Sequence, residues 1–130
     1  MKKILIIEDD RELCDELKEI LEDEGFYVKA IFNGLQGKKE LSGEKYDILL
    51  LDIKIPDMNG LDILRYLSDS GNGIPAIVLT GRPGHNELLK QEGRNTNEEE
   101  RLLSRAFRVI NKPFDIETLI STIKETYASA

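Results

Sequence analysis

The sequence predicts an α/β protein with an open, parallel β-sheet of five strands and helices on both of its faces. Five short aliphatic runs recur along the 130 residues, and helical patterns lie between them. Most of these runs are too continuously apolar for a sheet with one solvated face. Strands that alternate with helices pair in parallel through right-handed crossovers. Because five such units fit the length, we expect one domain over residues 1–130.

The first predicted helix lies between the first two strands in the sequence. After the first aliphatic run, Leu and Ile residues repeat at helical spacing, and Gly25 ends the pattern. Charged residues occupy the other side of this helix, as expected for a face in contact with water. The five predicted strands are KILII at 3–7, YVKAIF at 27–32, DILLL at 47–51, AIVLT at 76–80 and RVI at 108–110.

The remaining helices follow the second, third and fifth strands. Their patterns cover residues 35–41, 61–67 and 116–127, and Asp115 is a suitable N-cap for the last of them. The segment after the fourth strand, residues 81–106, contains three glycines, a proline and a polar middle. We interpret it as a loop with a short helix near residues 87–91 and a second helix near residues 98–105.

Composition argues against two classes of function. The net charge of −7 disfavours the clustered Lys and Arg residues that direct nucleic-acid binding requires. No apolar run approaches the length of a membrane span, and the N-terminus turns acidic too early for a signal peptide. We therefore expect a cytoplasmic protein without membrane contact. The one cysteine, Cys14, lies on the apolar side of the first helix and is interpreted as a core residue.

Polar residues with complementary chemistry follow four of the strands. In a parallel sheet, the loops that leave the carboxyl ends of the strands meet at one edge, where ligands bind. Each residue alone has an ordinary explanation as a turn residue, helix N-cap or surface lysine. Their convergence on one edge favours a functional site. They are Glu8, Asp9 and Asp10 after the first strand, Asp52 after the third, Thr80 after the fourth, and Asn111, Lys112 and Pro113 after the fifth.

Several carboxylates at one edge require a positive partner, because they repel one another and raise one another's pKa. Mg²⁺ suits this position, since it accepts one or two carboxylates, a backbone carbonyl and several waters. Lys112 adds a second positive charge. Such a site suits a carboxylate that attacks phosphorus: Asp52 would form an aspartyl phosphate, and the Thr80 hydroxyl could donate to a phosphoryl oxygen.

With these residues assembled, the chain resembles the receiver domains of two-component response regulators, the CheY-like superfamily. The blocks ILIIEDD, LLLDIKIPDMNGLDIL, PAIVLTG and INKPFD correspond to the family's blocks in order and nearly in spacing. The resemblance covers essentially the whole chain. It implies a flavodoxin-like, doubly wound sheet with strand order 2-1-3-4-5. It also implies a phosphorelay switch that accepts a phosphoryl group from a histidine kinase or phosphotransfer protein and passes the signal to an effector protein.

The resemblance assigns a role to each site residue. Asp52 would be the phospho-acceptor, and Glu8 and Asp9 would hold Mg²⁺ together with the backbone carbonyl of Lys54. Asp9 lies 43 residues before Asp52, the separation usual in the family, so Asp9 is the expected direct ligand and Glu8 acts mainly through water. The other positions that match the family are Thr80, Gly81, Lys112, a cis Lys112–Pro113 bond, Pro56 and Gly60.

Two features depart from the family's pattern. Val109 stands where the family usually has an aromatic switch residue, and Phe107 is a conceivable substitute from a neighbouring position. The span from Thr80 to Lys112 is 32 positions, longer than usual by roughly ten residues, nearly three helical turns. An ordinary mobile loop and a specialised contact surface explain this extra length about equally well.

Two other functions compete with the phosphorylation switch. A degenerate receiver would bind a partner without phosphate chemistry. The complete acidic, hydroxyl and lysine set speaks against it, whereas Val109 and the long segment between Thr80 and Lys112 speak for it. A phosphohydrolase with an aspartate nucleophile is the other; the haloacid dehalogenase family, which also ends a strand in such an aspartate, has an acid two positions later, where this sequence has Lys54. We therefore expect no enzymatic activity beyond catalysis of the protein's own phosphorylation and dephosphorylation.

Overall fold

The computed structural model describes residues 1–81 and 96–128. Within these residues, five parallel strands form one sheet in the order β2-β1-β3-β4-β5, as the sequence and the resemblance predict. The strands are β1 (Lys3–Ile7), β2 (Tyr27–Ile31), β3 (Ile48–Asp52), β4 (Ala76–Thr80) and β5 (Arg108–Asn111). The helices are α1 (Arg11–Asp23), α2 (Gly34–Gly43), α3 (Gly60–Asp69), α4 (Thr96–Ser104) and α5 (Ile116–Ala128).

The sheet separates two hydrophobic cores. Successive side chains of a strand point to opposite faces, so an apolar run without interruption supplies both cores at once. In β3, Leu49 and Leu51 pack beneath α2, α3 and α4, whereas Ile48 and Leu50 pack beneath α1 and α5. This arrangement explains why the strands read as continuous aliphatic runs.

Helix boundaries follow local capping chemistry. The side chains of Asp10, Asn33 and Asn59 each accept a hydrogen bond from a backbone N–H in the first turn of α1, α2 and α3. Gly25 follows α1 at a φ of 97°, a conformation that glycine adopts without steric cost. The predicted cap Asp115 accepts a hydrogen bond from the Glu117 N–H at 3.2 Å. Short polar side chains next to the apolar patterns therefore mark where these helices begin.

The observed boundaries differ from the predicted ones by a few residues. β3 begins at Ile48, directly after Asp47, whose side chain accepts a hydrogen bond from the Lys3 N–H at 2.8 Å, and it extends to Asp52. The helix predicted near residues 98–105 is α4, which ends at Ser104. The short helix predicted near residues 87–91 lies outside the described residues. None of the helices in the described ranges is long and apolar enough to cross a membrane.

Candidate functional site

The loop from β1 to α1 gives its three acids different environments. The Glu8 side chain lies inside the protein, with 1% of the residue exposed, and its backbone N–H donates to the Ile31 carbonyl at 3.0 Å. Asp9 faces solvent. The Asp10 carboxylate accepts a hydrogen bond from the Leu13 N–H at 3.1 Å and thereby caps α1. The structure thus separates the pair Glu8 and Asp9 from Asp10.

The end of β3 brings Asp52 next to this acidic pair. β1 and β3 are hydrogen-bonded neighbours in the sheet, so Asp52 and the residues after Ile7 leave the sheet side by side. One carboxylate oxygen from each of Glu8, Asp9 and Asp52 lies within 4.8 Å of the other two. Hard cations such as Mg²⁺ prefer oxygen ligands of this kind. These three side chains could therefore share one divalent cation.

Lys112 joins the acids from the other side of the site. Its Nζ lies 2.9 Å from Glu8 Oε1 and 3.4 Å from Asp52 Oδ2. The backbone holds the residue in place, since the Lys112 N–H donates to the Thr80 carbonyl at 2.7 Å. The Lys112–Pro113 peptide bond is cis, as the resemblance implies. A single ammonium group therefore bridges two carboxylates that come from different strands.

Burial makes the charged form of Glu8 unfavourable, whereas Lys112 keeps its charge. Burial, reinforced by the neighbouring Asp52 carboxylate, raises the pKa of Glu8 to about 7, although Lys112 acts in the opposite direction. Burial lowers the pKa of Lys112, but its hydrogen bond to Glu8 and the charge of Asp52 outweigh that effect and leave the pKa above its usual value. Lys112 therefore remains an ammonium group at neutral pH.

One oxygen in the site has no hydrogen-bond partner in the described part of the chain. Glu8 Oε2 is buried, and a buried carboxylate oxygen without a partner is costly. A cation, or a water bound to one, would supply the missing interaction. The donor set of three carboxylates together with this orphaned oxygen fits Mg²⁺.

The loop from β3 to α3 is packed tightly around Asp52. The Lys54 N–H donates to Asp52 Oδ1 at 3.2 Å, which fixes the orientation of the carboxylate. A Cβ at Gly60 would stand 2.6 Å from the Asp52 carbonyl oxygen, so only glycine fits there. The Pro56 carbonyl accepts the N–H groups of Gly34 at 3.0 Å and Met58 at 2.9 Å. These contacts hold the acceptor loop in one shape.

Thr80 and Gly81 end the neighbouring strand. Thr80 is buried and lies opposite Asn111 in the register of β4 and β5. A Cβ at Gly81 would stand 3.9 Å from Lys112 Cδ, an ordinary contact distance. The structure therefore places the hydroxyl residue, the small residue after it and the lysine at the same end of two adjacent strands.

The suggestion that Phe107 replaces the missing aromatic switch residue is wrong. The Phe107 N–H donates to the Ala76 carbonyl at 2.8 Å, at the amino end of β4, whereas Thr80 lies at the carboxyl end. Four residues of strand separate these positions, about 13 Å. Val109, at the usual switch position, is 42% exposed and lies opposite Val78. No aromatic side chain of β5 therefore stands beside Thr80 in the described structure.

Two residues support the site without having been recognised in the sequence. Gly34 meets the acceptor loop so closely that a Cβ there would stand 1.8 Å from the Met58 carbonyl oxygen. Cys14 is fully buried, and its thiol donates to the Glu8 carbonyl at 3.4 Å. The dipeptide Asn33-Gly34 carries a cap signal for α2, but the close approach of a distant loop leaves no mark in a single sequence.

Comparisons with known proteins point to one family. The family model of the response regulator receiver domain matches residues 4–124. The transcriptional regulatory protein CrdR of Helicobacter pylori is 31% identical over 127 residues, which are 97% of this chain and 55% of that protein. The chain spans about half of the length of the curated relatives that it matches over nearly its whole length.

Solved structures share the fold. The receiver domain of Francisella response regulator 1452 superposes with a TM-score of 0.82 at 22% identity, covering 99% of this chain and 98% of that one. Response regulator TrrA of Thermotoga maritima, solved in complex with Mg²⁺ and BeF, has a TM-score of 0.80 at 25% identity, covering 97% and 99% of the two chains. At 22% identity, the similarity to the Francisella domain shows a common fold and nothing more.

Proposed function

Because the chain belongs to the response regulator receiver domain family, we propose that it is a phosphorylation switch whose acceptor is Asp52. The observation that carries this proposal is the bridge from Lys112 Nζ to the carboxylates of both Glu8 and Asp52, with Asp9 beside them. This arrangement concentrates acidic oxygens and one ammonium group around a carboxylate at the end of an interior strand. It is suited to phosphoryl transfer. It lacks an acid two positions after Asp52, which is the residue expected for the competing phosphohydrolase function.

Mg²⁺ is the proposed cofactor. Its ligands would be carboxylate oxygens of Asp9 and Asp52, the Lys54 carbonyl, and Glu8 mainly through water. The unpartnered Glu8 Oε2 supports this choice, as does the Mg²⁺ complex of TrrA. When bound, the cation neutralises the negative charge of the carboxylates and of the incoming phosphoryl oxygens.

The transfer step is a displacement at phosphorus. A carboxylate oxygen of Asp52 forms the new O–P bond, and the bond from phosphorus to the donor breaks with its electron pair on the leaving group. The Lys54 N–H orients the attacking carboxylate, and Lys112 offsets the charge of the phosphoryl group. The Thr80 hydroxyl donates to a phosphoryl oxygen. Attack by water on the acyl phosphate reverses the modification and releases phosphate.

A histidine kinase or phosphotransfer protein is the proposed donor, and an effector protein or an attached effector region is the proposed target. The relatives are named transcriptional regulatory proteins and are a little under twice as long as this chain. We propose that this domain controls a transcriptional output in the cytoplasm. With a net charge of −7, the domain itself is not expected to contact nucleic acid directly. Phosphorylation adds negative charge at the sheet edge and shifts the balance between two arrangements of that edge.

A degenerate receiver that binds its partner without phosphate chemistry is the second candidate. The observation in its favour is Val109, whose exposed aliphatic side chain cannot perform an aromatic swing toward Thr80. The two candidates differ in one measurable property, which is whether Asp52 takes up phosphate.

The test is Mg²⁺-dependent labelling by acetyl phosphate, followed by intact-mass measurement. We expect the wild type to gain one phosphoryl group with Mg²⁺ and none with a chelator, and Asp52→Asn to gain none. Asp57→Asn is the matched control, because Asp57 is exposed in the same loop and its φ of 71° suits asparagine equally well. Equal labelling of Asp52→Asn and the wild type would refute the assignment of the acceptor.

A further inference from the structure

The sequence contains three Asn-Gly dipeptides, and the structure gives one of them a different environment. In such a dipeptide the glycine nitrogen can attack the asparagine side-chain amide, because glycine has no side chain to obstruct the approach. The attack requires a peptide nitrogen that is free to leave its hydrogen bond and a segment that can bend. The dipeptides are Asn33-Gly34, Asn59-Gly60 and Asn72-Gly73.

The first two pairs are held in place. Asn33 and Asn59 are helix N-caps, and the N–H groups of the glycines after them donate to fixed carbonyls: Gly34 to Pro56 at 3.0 Å and Gly60 to Ile53 at 2.8 Å. Both glycines are buried and lie so close to other backbone atoms that an added Cβ would collide with them. Their nitrogens can attack only after the local structure opens, which costs free energy.

The third pair lies in the exposed loop between α3 and β4. No hydrogen bond engages the Gly73 N–H within residues 1–81 and 96–128, and a Cβ at Gly73 would have open space around it. The side-chain oxygen of Asn72 accepts the Ile74 N–H at 3.0 Å. This bond polarises the side-chain carbonyl and would stabilise the negative charge that develops on its oxygen during attack.

We propose that Asn72 is a site of spontaneous modification in the folded protein. The Gly73 nitrogen loses its proton and forms a bond to Asn72 Cγ, and the side-chain nitrogen leaves as ammonia, which produces a succinimide. Water then opens the ring at one of its two carbonyls. The products are an aspartate at position 72 and an isoaspartate, in which the main chain runs through the former side chain.

The modification would change the contact between the turn after α4 and the loop. Arg105, in the turn after α4, donates a guanidinium N–H to the Asn72 carbonyl, and Asn72 N–H donates to the Leu67 carbonyl at 3.0 Å. In isoaspartate the peptide bond to Gly73 runs through the former side chain, which adds one carbon to the main chain, and the carbonyl that Arg105 contacts becomes a free carboxylate. We expect a changed rate of hydrogen exchange at residues 102–106 in the modified protein, and unchanged exchange there would overturn this consequence.

The test follows the three asparagines in parallel. The whole chain is incubated at mildly alkaline pH, folded or in concentrated urea, and digested, and isoaspartyl peptides are quantified by mass spectrometry. In the folded protein we expect conversion at Asn72 to be at least about tenfold faster than at Asn33 or Asn59, because those two must await local opening. In urea all three are expected to react at similar rates.

Gly73→Ala is the decisive variant, since a methyl group there meets no atom within 4 Å and leaves the Asn72 contacts in place. It should slow conversion at Asn72 by roughly tenfold through steric obstruction of the attacking nitrogen, about 1.4 kcal/mol in the barrier. Conversion in the folded wild type that is as fast at Asn33 or Asn59 would overturn the proposal. So would the absence of conversion at Asn72 in the folded chain, or an unchanged rate in Gly73→Ala.

Discussion

Lys112 is the residue on which the charge balance of the site depends. Its ammonium group contacts Glu8 and Asp52, so it partly satisfies the acids that are proposed to hold the cation. The same positive charge repels a dication a few ångströms away. Lys112 is therefore expected to oppose cation binding before phosphorylation and to become favourable when the phosphoryl group adds negative charge.

The variant Lys112→Met tests this balance. Loss of the ammonium group should strengthen Mg²⁺ binding by roughly tenfold, because two carboxylates lose their competing partner. Isothermal titration calorimetry measures the affinity, with Lys18→Met on the exposed face of α1 as the control. Weaker or unchanged Mg²⁺ binding in Lys112→Met would show that the cation does not share these acids with the lysine.

Cys14 illustrates how burial determines reactivity. The side chain is fully buried, and burial, together with nearby carboxylates, raises the pKa of its thiol to about 12. The thiolate is the reactive form, so the folded protein should resist thiol reagents up to mildly alkaline pH. We expect labelling by iodoacetamide only in denaturant. Rapid labelling of the native protein at neutral pH would contradict this placement of Cys14.

At the scale of elements, α2 is positioned by a contact between two backbones. Gly34 begins the helix directly against the Met58 carbonyl, and its N–H donates to Pro56 in the acceptor loop. The start of α2 and the loop after Asp52 therefore pack as one unit. This contact requires a residue without a Cβ.

Gly34→Ala should destabilise the protein by about 1–3 kcal/mol, because the added methyl group forces the helix and the loop apart. Gly43→Ala at the other end of the same helix is the control. Its methyl group would meet nothing within 4 Å, and alanine favours a helix over glycine by about 1 kcal/mol or less. Urea unfolding measures both free energies, and equal effects of the two substitutions would exclude the proposed contact.

At the scale of the whole molecule, most of the fold was predictable because each element carries a local signal. Continuous aliphatic runs mark strands with helices on both faces, and helical spacing beside Asp10, Asn33, Asn59 and Asp115 marks where helices begin. Parallel topology then brings all carboxyl ends of the strands to one edge. The grouping of the acids with Lys112 follows from this topology, which is why the sequence could predict it.

The features that sequence reasoning missed all depend on register or on contacts between distant segments. From strand alternation alone, Phe107 could have been a substitute switch residue. Its hydrogen bond to Ala76 places it at the opposite end of β4 from Thr80. The contact of Arg105 with the Asn72 carbonyl joins residues 33 positions apart. Neither relation leaves a periodic pattern in a single sequence.

The most direct test of the whole interpretation is to locate the phosphoryl group itself. The protein is phosphorylated with acetyl phosphate and Mg²⁺, the acyl phosphate is reduced with borohydride, and the modified side chain is identified by tandem mass spectrometry. We predict a homoserine at the position of Asp52 and unmodified carboxylates at Glu8 and Asp9. A reduced side chain at any other acid, or none after complete reaction, would contradict the assignment of this site as a phosphorylation switch.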